Sequence, residues 1–129
     1  MIGYTLVGSN DIDKAKAFYD ALFATIGIGR LMDFPDGGCT WGKAFNRPMF
    51  GVGKPYDGNV ATVGNGSMTA FYVNERPKVD MLHAKALELG GTSEGPPGLR
   101  DDEGEHAFYA GFVRDLDGHK ICFYRVGSS

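Results

Sequence analysis

Three histidines, two cysteines and an acidic segment are the residues of this sequence whose side chains could do chemistry. His106 directly follows the acidic segment Asp101–Glu105, and imidazole and carboxylate groups at such short spacing could hold a divalent cation. Acidic, glycine-containing segments are more often simply solvated, so we expect a polar loop there. His83 lies on the polar flank of a predicted helix and His119 directly follows a turn, which predicts surface positions for both.

The two cysteines, Cys39 and Cys122, are too few for a disulfide-stabilised secreted scaffold. Cys122 has no histidine at a partner position, so we expect a small apolar residue rather than an activated thiolate. No G-x-S-x-G motif is present, and no glycine-rich stretch has the spacing of a phosphate-binding loop. Asp115–Gly118 lacks the later acidic ligands of a calcium loop and predicts a turn.

The element that positions Cys122 is a predicted hairpin and final strand. Asp117-Gly118 is a strong turn signal, because glycine can adopt the positive φ that a reversal requires. After this turn, Ile121 and Phe123 point to one side of the strand and predict a core face. The opposite side has a mixed chemistry that favours a cavity or a partner over a helix. Its residues are Lys120, Cys122 and Tyr124.

The first half of the chain predicts a strand, a helix and three further strands. Ile2–Gly8 alternates as a strand, and Ser9-Asn10-Asp11 supplies the N-cap of an amphipathic helix that ends at Gly27. Short strands follow, separated by turn signals. We expect them at Leu31–Phe34, Cys39–Phe45 and Met49–Gly53.

The second half repeats this order after an aperiodic connection. Ser67–Val73 predicts a strand, and Asn74–Pro77 begins a helix that ends at Gly90-Gly91. An irregular stretch, Glu94–His106, precedes a strand at Ala107–Arg114 and the final hairpin.

Several identical residues recur 64 positions apart in the two halves. They occur in a strand, at a cap, in a first helical turn and at a helix stop, which indicates an internal duplication. Chance agreement between two ordinary strand-helix units remains the alternative. The pairs are Thr5 and Thr69, Asn10 and Asn74, Lys14 and Lys78, and Gly27 and Gly91.

Two segments, Asn10–Tyr19 and Arg114–Gly118, resemble the vicinal-oxygen-chelate superfamily of glyoxalases, bleomycin-resistance proteins and extradiol dioxygenases. The resemblance covers nearly the whole chain and implies an α+β fold, in which two βαβββ modules form a curled mixed-sheet cup with helices outside. We expect one glyoxalase-like domain over residues 1–129, with modules at 1–54 and 67–129 and a linker at 55–66.

The resemblance also assigns positions to the metal ligands that many members of that superfamily carry on the first and last strands of each module. These positions correspond here to Tyr4, Met68, Cys122 and the segment Met49–Gly51, none of which is a His, Glu, Asp or Gln. The metals used by such enzymes prefer imidazole and carboxylate donors. We therefore expect neither a bound metal nor another cofactor.

Strand alternation and the resemblance together predict a cup lined mainly by apolar and aromatic side chains, which would suit a small organic ligand. Complete filling of the cup by these side chains is the alternative. Arg47 and Arg100 lie near the expected rims and could pair with an anionic group. The residues expected to contact the ligand are Tyr4, Trp41, Met68, Tyr72, Tyr109, Cys122 and Tyr124, with Leu6 and Ala70 beside them.

The function we expect is metal-independent binding of a small organic molecule, as in bleomycin-resistance proteins, with a homodimer implied by the resemblance. One alternative is a metal-dependent glyoxalase-like lyase, isomerase or dioxygenase whose ligands lie at other positions. Another is a scaffold without a ligand.

Composition excludes several other classes. The formal net charge of -3 and the absence of a basic cluster argue against nucleic-acid binding. No apolar run approaches the roughly 20 residues needed to cross a bilayer, and the N-terminal residues lack a signal pattern. A chain of 129 residues can bury a core of its own. We expect a cytoplasmic protein with free thiols and no membrane partner.

Overall fold

The computed structural model describes all residues from Met1 to Ser129, which form two compact units, Met1–Asn65 and Gly66–Ser129. Each unit contains one helix and one mixed sheet of four strands. The first unit contains β1 (Tyr4–Gly8), α1 (Ile12–Ala24), β2 (Gly29–Asp33), β3 (Cys39–Gly42) and β4 (Met49–Gly53). The second contains β5 (Thr69–Tyr72), α2 (Arg76–Glu88), β6 (Thr92–Leu99), β7 (Phe108–Arg114) and β8 (Lys120–Val126).

In the first unit, β1 pairs in parallel with β4, and the strand order across the sheet is β1-β4-β3-β2. The helix α1 begins at the N-cap Asp11, whose carboxylate accepts a hydrogen bond from the Lys14 backbone N–H at 3.1 Å. After the helix the chain passes through Gly27, whose φ of 72° is readily adopted by glycine.

The second unit has the same topology, with β5 parallel to β8 and the order β5-β8-β7-β6. Thr5 and Thr69 occupy corresponding first strands, and each strand pairs with the last strand of its own unit. Equal element order and equal strand order support the internal duplication. The helix stop differs slightly, because the positive φ in the second unit is adopted by Gly90 rather than by Gly91.

The irregular stretch predicted at Glu94–His106 is wrong in its first half, where β6 extends to Leu99. The residues Gly95-Pro96-Pro97-Gly98 are not typical of a strand, so the sequence pattern does not predict β6. Its register with β7 also shifts between Ser93 and Gly98. Prolines are tolerated here because β6 lies at the edge of its sheet, where a missing N–H breaks no inner ladder.

The predicted final hairpin is confirmed. Gly118 has a φ of 91°, and the Asp115 carboxylate accepts hydrogen bonds from the backbone N–H groups of Asp117 and His119 at 3.0 and 2.9 Å. The turn therefore fixes the start of β8, and with it the face that each β8 side chain occupies. Neither helix combines the length and the apolar character that crossing a bilayer would demand.

Candidate functional site on the second sheet

The two faces of the second sheet are distinguished by their contacts with α2. The Tyr109 hydroxyl donates a 2.6 Å hydrogen bond to Asp80 on α2, and a Cβ at Gly111 would lie 3.2 Å from the ring of His83 on the same helix. Alternate β7 residues therefore face away from α2. We call this side the helix-free face, and its residues are Ala70, Tyr72, Phe108, Ala110, Phe112, Cys122 and Tyr124.

One end of the helix-free face carries a row of aromatic rings. The Phe108 and Tyr124 rings stack with centroids 5.1 Å apart, and Tyr72 meets Tyr124 edge to face at 5.6 Å. The Tyr72 hydroxyl accepts a hydrogen bond of 2.8 Å from Arg125, although the side chain of Tyr72 remains 54% exposed. This end offers preorganised ring surface to a flat ligand.

The other end combines a ring with two cations. The guanidinium carbon of Arg100 lies 4.9 Å from the Phe112 ring centroid, and the Lys120 ammonium lies 5.4 Å from it. Phe112 is opposite Gly95 on β6, where a Cβ would approach the ring to 3.3 Å. The absence of a side chain at Gly95 therefore leaves room for this ring.

Cys122 lies between these ends and is 1% exposed. Burial raises the pKa of its thiol to about 11, although Arg100 and Lys120 act in the opposite direction. The sulfur is therefore a protonated, covered part of the floor at neutral pH, and the expectation of a small apolar residue is confirmed.

Of the residues predicted to contact a ligand, Tyr72, Cys122 and Tyr124 do share the helix-free face. Met68 directly precedes β5 and is 48% exposed. Tyr109 lies on the opposite side, where its hydroxyl is bound to Asp80 and its ring is 5.1 Å from the Arg76 guanidinium. That hydrogen bond raises the pKa of Tyr109. Its expected place beside Tyr124 is wrong, because β7 alternation turns it toward α2.

The other two predicted residues belong to the first unit and lie on opposite faces of its sheet. They are Tyr4 and Trp41. Tyr4 is half exposed on the side of its sheet that faces away from α1. Trp41 is buried on the α1 side, with its ring centroid 5.5 Å from that of Tyr19 and its indole N–H donating to Asp20 at 2.9 Å. Trp41 is thus a core residue, and the prediction that it lines a face with Tyr4 is wrong.

The metal-ligand positions implied by the resemblance do not carry a donor set that fits a divalent ion. A phenol at Tyr4, a thioether at Met68 and a buried thiol of raised pKa at Cys122 are poor donors for the metals concerned. No group of three or more His, Cys, Asp or Glu side chains is arranged to hold a metal. The acidic segment Asp101–Glu105 forms no such group with His106, whose imidazole is 87% exposed.

The surface positions predicted for His83 and His119 are wrong, since both are 6% exposed. The His83 ring lies under β6, with Nε2 3.1 Å from the Ser93 hydroxyl oxygen. Burial lowers the pKa of His83. The sequence predicts a polar helix face there because β6, the strand that covers it, has no clear local signal.

The first unit has a separate cleft of about 560 Å³. Asp36 is fixed at its wall, because its carboxylate accepts hydrogen bonds from the backbone N–H groups of Gly38 and Lys54, both at 2.8 Å. These bonds lower the pKa of Asp36. With its hydrogen bonds directed to the backbone, this carboxylate has a structural role. The cleft is lined by Leu6, Val7, Gly8, Asp36, Gly53, Lys54, Pro55 and Tyr56.

Sequence reasoning missed Phe108 and Phe112 and did not connect Lys120 with Arg100. Strand alternation was a usable signal, because Phe108, Ala110 and Phe112 share one parity on β7. The cation-ring contacts had no such signal, since Arg100 approaches Phe112 from beyond the end of β6.

Comparison with solved structures gives matches along almost the whole chain. A glyoxalase/bleomycin resistance protein from Albidiferax ferrireducens is 36% identical, with a TM-score of 0.85 over 97% of this chain and 98% of that one. A glyoxalase/bleomycin resistance protein/dioxygenase family enzyme from Burkholderia phytofirmans is 18% identical, with a TM-score of 0.72 over 96% and 97% of the two chains.

A lactoylglutathione lyase from Agrobacterium tumefaciens shares the fold at 19% identity, with a TM-score of 0.65 over 97% of this chain and 92% of that one. No family model matches the sequence, and no curated protein matches it either. The similarity is therefore carried by solved structures.

Proposed function

Since this chain belongs to the glyoxalase/bleomycin resistance protein family, we propose that it binds a small organic molecule without a metal ion. The observation that carries this proposal is the row of packed rings from Phe108 through Tyr124 to Tyr72 on a sheet face that no helix of its unit covers. Aromatic surface of this kind binds flat ligands by stacking. The phenol groups add hydrogen-bonding capacity at the same place.

The donor chemistry of the positions described above supports metal independence. The thiol of Cys122, with a pKa of about 11, is protonated at neutral pH, whereas a metal ligand must be a thiolate. The proposal therefore assigns binding to rings and hydrogen bonds and includes no chelate chemistry.

The test is a thermal-shift screen of the protein against neutral aromatic compounds. We expect some of them to raise the melting temperature of the wild type, because a ligand that binds the folded state stabilises it. Tyr72→Leu removes an exposed ring of the row and should weaken this effect. Phe45→Leu is a matched control, because Phe45 is 68% exposed and belongs to the first unit, whereas the row belongs to the second. Silence across a broad panel would favour a scaffold without a ligand.

The competing function is that of a metal-dependent lyase, isomerase or dioxygenase with ligands at other positions. The lyase among the structural neighbours motivates this alternative. Metal analysis of untagged protein purified without chelator separates the two functions. One tightly bound divalent ion per chain would overturn the metal-independent proposal, and substoichiometric metal would support it.

A further inference from the structure

Two cations stand at one end of the helix-free face without an ion-pair partner. Arg100 and Lys120 both lie against the Phe112 ring, and neither belongs to any ion pair of the chain. The carboxylate of Glu94 is held by Arg114 at 2.6 Å, which is the main cause of the lowered pKa of Glu94, and Lys120 contributes less to that shift. The positive charge at this end is therefore available to a ligand.

The Phe112 ring brings the two cations together. Both charges lie within 5.4 Å of its centroid, so the ring limits their side-chain freedom before any ligand arrives. Lys120 is two residues from Cys122 on β8 and therefore lies on the same face of the sheet. Guanidinium and ammonium groups form charge-assisted hydrogen bonds with carboxylate oxygens.

The distance between the aromatic end and the cationic end sets the length of a ligand. Phe112 pairs with Cys122, which is two residues from Tyr124 on β8. The nearer ring residues of the two ends, Phe112 and Tyr124, are therefore separated by roughly 7 Å along the strand direction. The residues between these ends, Ala110 and Cys122, are small. Both are 1% exposed, so a ligand that reaches from the aromatic end to the cationic end lies over the groups that cover them.

We infer that this face selects a molecule with an aromatic ring at one end and a carboxylate at the other, about 7 Å apart to fit the strand spacing. The ring stacks on Phe108 and Tyr124, and the carboxylate is bound by Arg100 and Lys120. This inference rests on the proposed function and adds the ligand's charge and orientation to it.

The experiment compares hydrocinnamate with hydrocinnamide, which share ring and chain but differ in charge. Binding is followed at low salt by backbone amide chemical shifts in the full-length protein. We expect hydrocinnamate to bind about tenfold more tightly than the amide, because charged hydrogen bonds are the stronger ones. Its largest shifts should fall on Phe112, Lys120 and Cys122.

Arg100→Gln and Lys120→Gln should each reduce the preference for the carboxylate over the amide. Lys43→Gln removes a lysine of the first unit and should change nothing. Raising the salt concentration should weaken hydrocinnamate alone, since exposed charges are screened.

The possible failures point to different causes. Equal binding of both compounds would overturn the inference about charge while leaving the proposed function intact. Binding of neither compound at millimolar concentration would also overturn the inference, and the separate neutral-compound screen would then decide the proposed function.

Discussion

At the scale of single residues, His83 shows how burial changes a group that looks like a surface residue in the sequence. Its ring is covered by β6 and is 6% exposed, and its pKa is lowered chiefly by this burial. A charged imidazolium at this position would have to be desolvated. Folding therefore favours the neutral form.

This gives a pH dependence with a definite sign. As the pH falls below the ordinary histidine pKa of 6.5, the unfolded chain binds a proton that the folded chain still excludes. The free energy of unfolding should decrease through this window, down to the lowered pKa of the folded state. Urea unfolding of the wild type and of His83→Asn at several pH values measures it, and the variant should lose part of the pH dependence.

His106→Asn is the control for that experiment, because His106 is 87% exposed. It should retain the pH dependence of the wild type. Parallel pH profiles for the wild type and His83→Asn would contradict the assignment of this effect to His83.

At the scale of elements, close approach between backbone segments limits which residues the sheets accept. Gly38 precedes β3 in the first unit, and a Cβ there would overlap the carbonyl oxygen of Val52 on β4. The atom that this Cβ would meet belongs to the backbone, so it cannot move aside as the end of a flexible side chain could. Gly38 does not have a positive φ, so the requirement for glycine is one of space.

Gly38→Ala should lower the free energy of unfolding by about 3 kcal/mol, as overpacking against rigid structure does. Gly3→Ala is the matched control, because nothing lies within 4 Å of a Cβ at that position. Chemical denaturation of both variants provides the measurement. Equal stability of the two would show that β3 and β4 can separate without cost.

The edge strand β6 is the element that the sequence pattern did not predict. Helices and inner strands were predicted because their apolar residues repeat with the period of the element. β6 has two prolines and two glycines within eight residues, and its pairing with β7 is interrupted by register shifts. Its assignment depends on a neighbouring strand, which local sequence does not describe.

At the scale of the whole molecule, we propose a homodimer, which family membership and the exposed apolar residues of β1 support. Tyr4 and Leu6 are each 50% exposed, and apolar residues grouped on a surface are often covered by a partner. Light scattering should give twice the chain mass of 13.9 kDa at micromolar concentration. The double variant Tyr4→Ser, Leu6→Ser should shift the mass toward the monomer, and a wild-type monomer would contradict the proposal.

The sequence by itself determined the two βαβββ units, the duplication and the family, because periodicity, caps and turn residues are local properties repeated in both halves. It also determined the mixed face of β8, since strand alternation follows from the Gly118 turn.

Tertiary structure alone decided that Trp41 and Tyr109 face helices, that His83 is covered and that Arg100 and Lys120 both lie against Phe112. These placements depend on register and packing between strands and helices that are distant in sequence. The composition of any single segment does not contain that information.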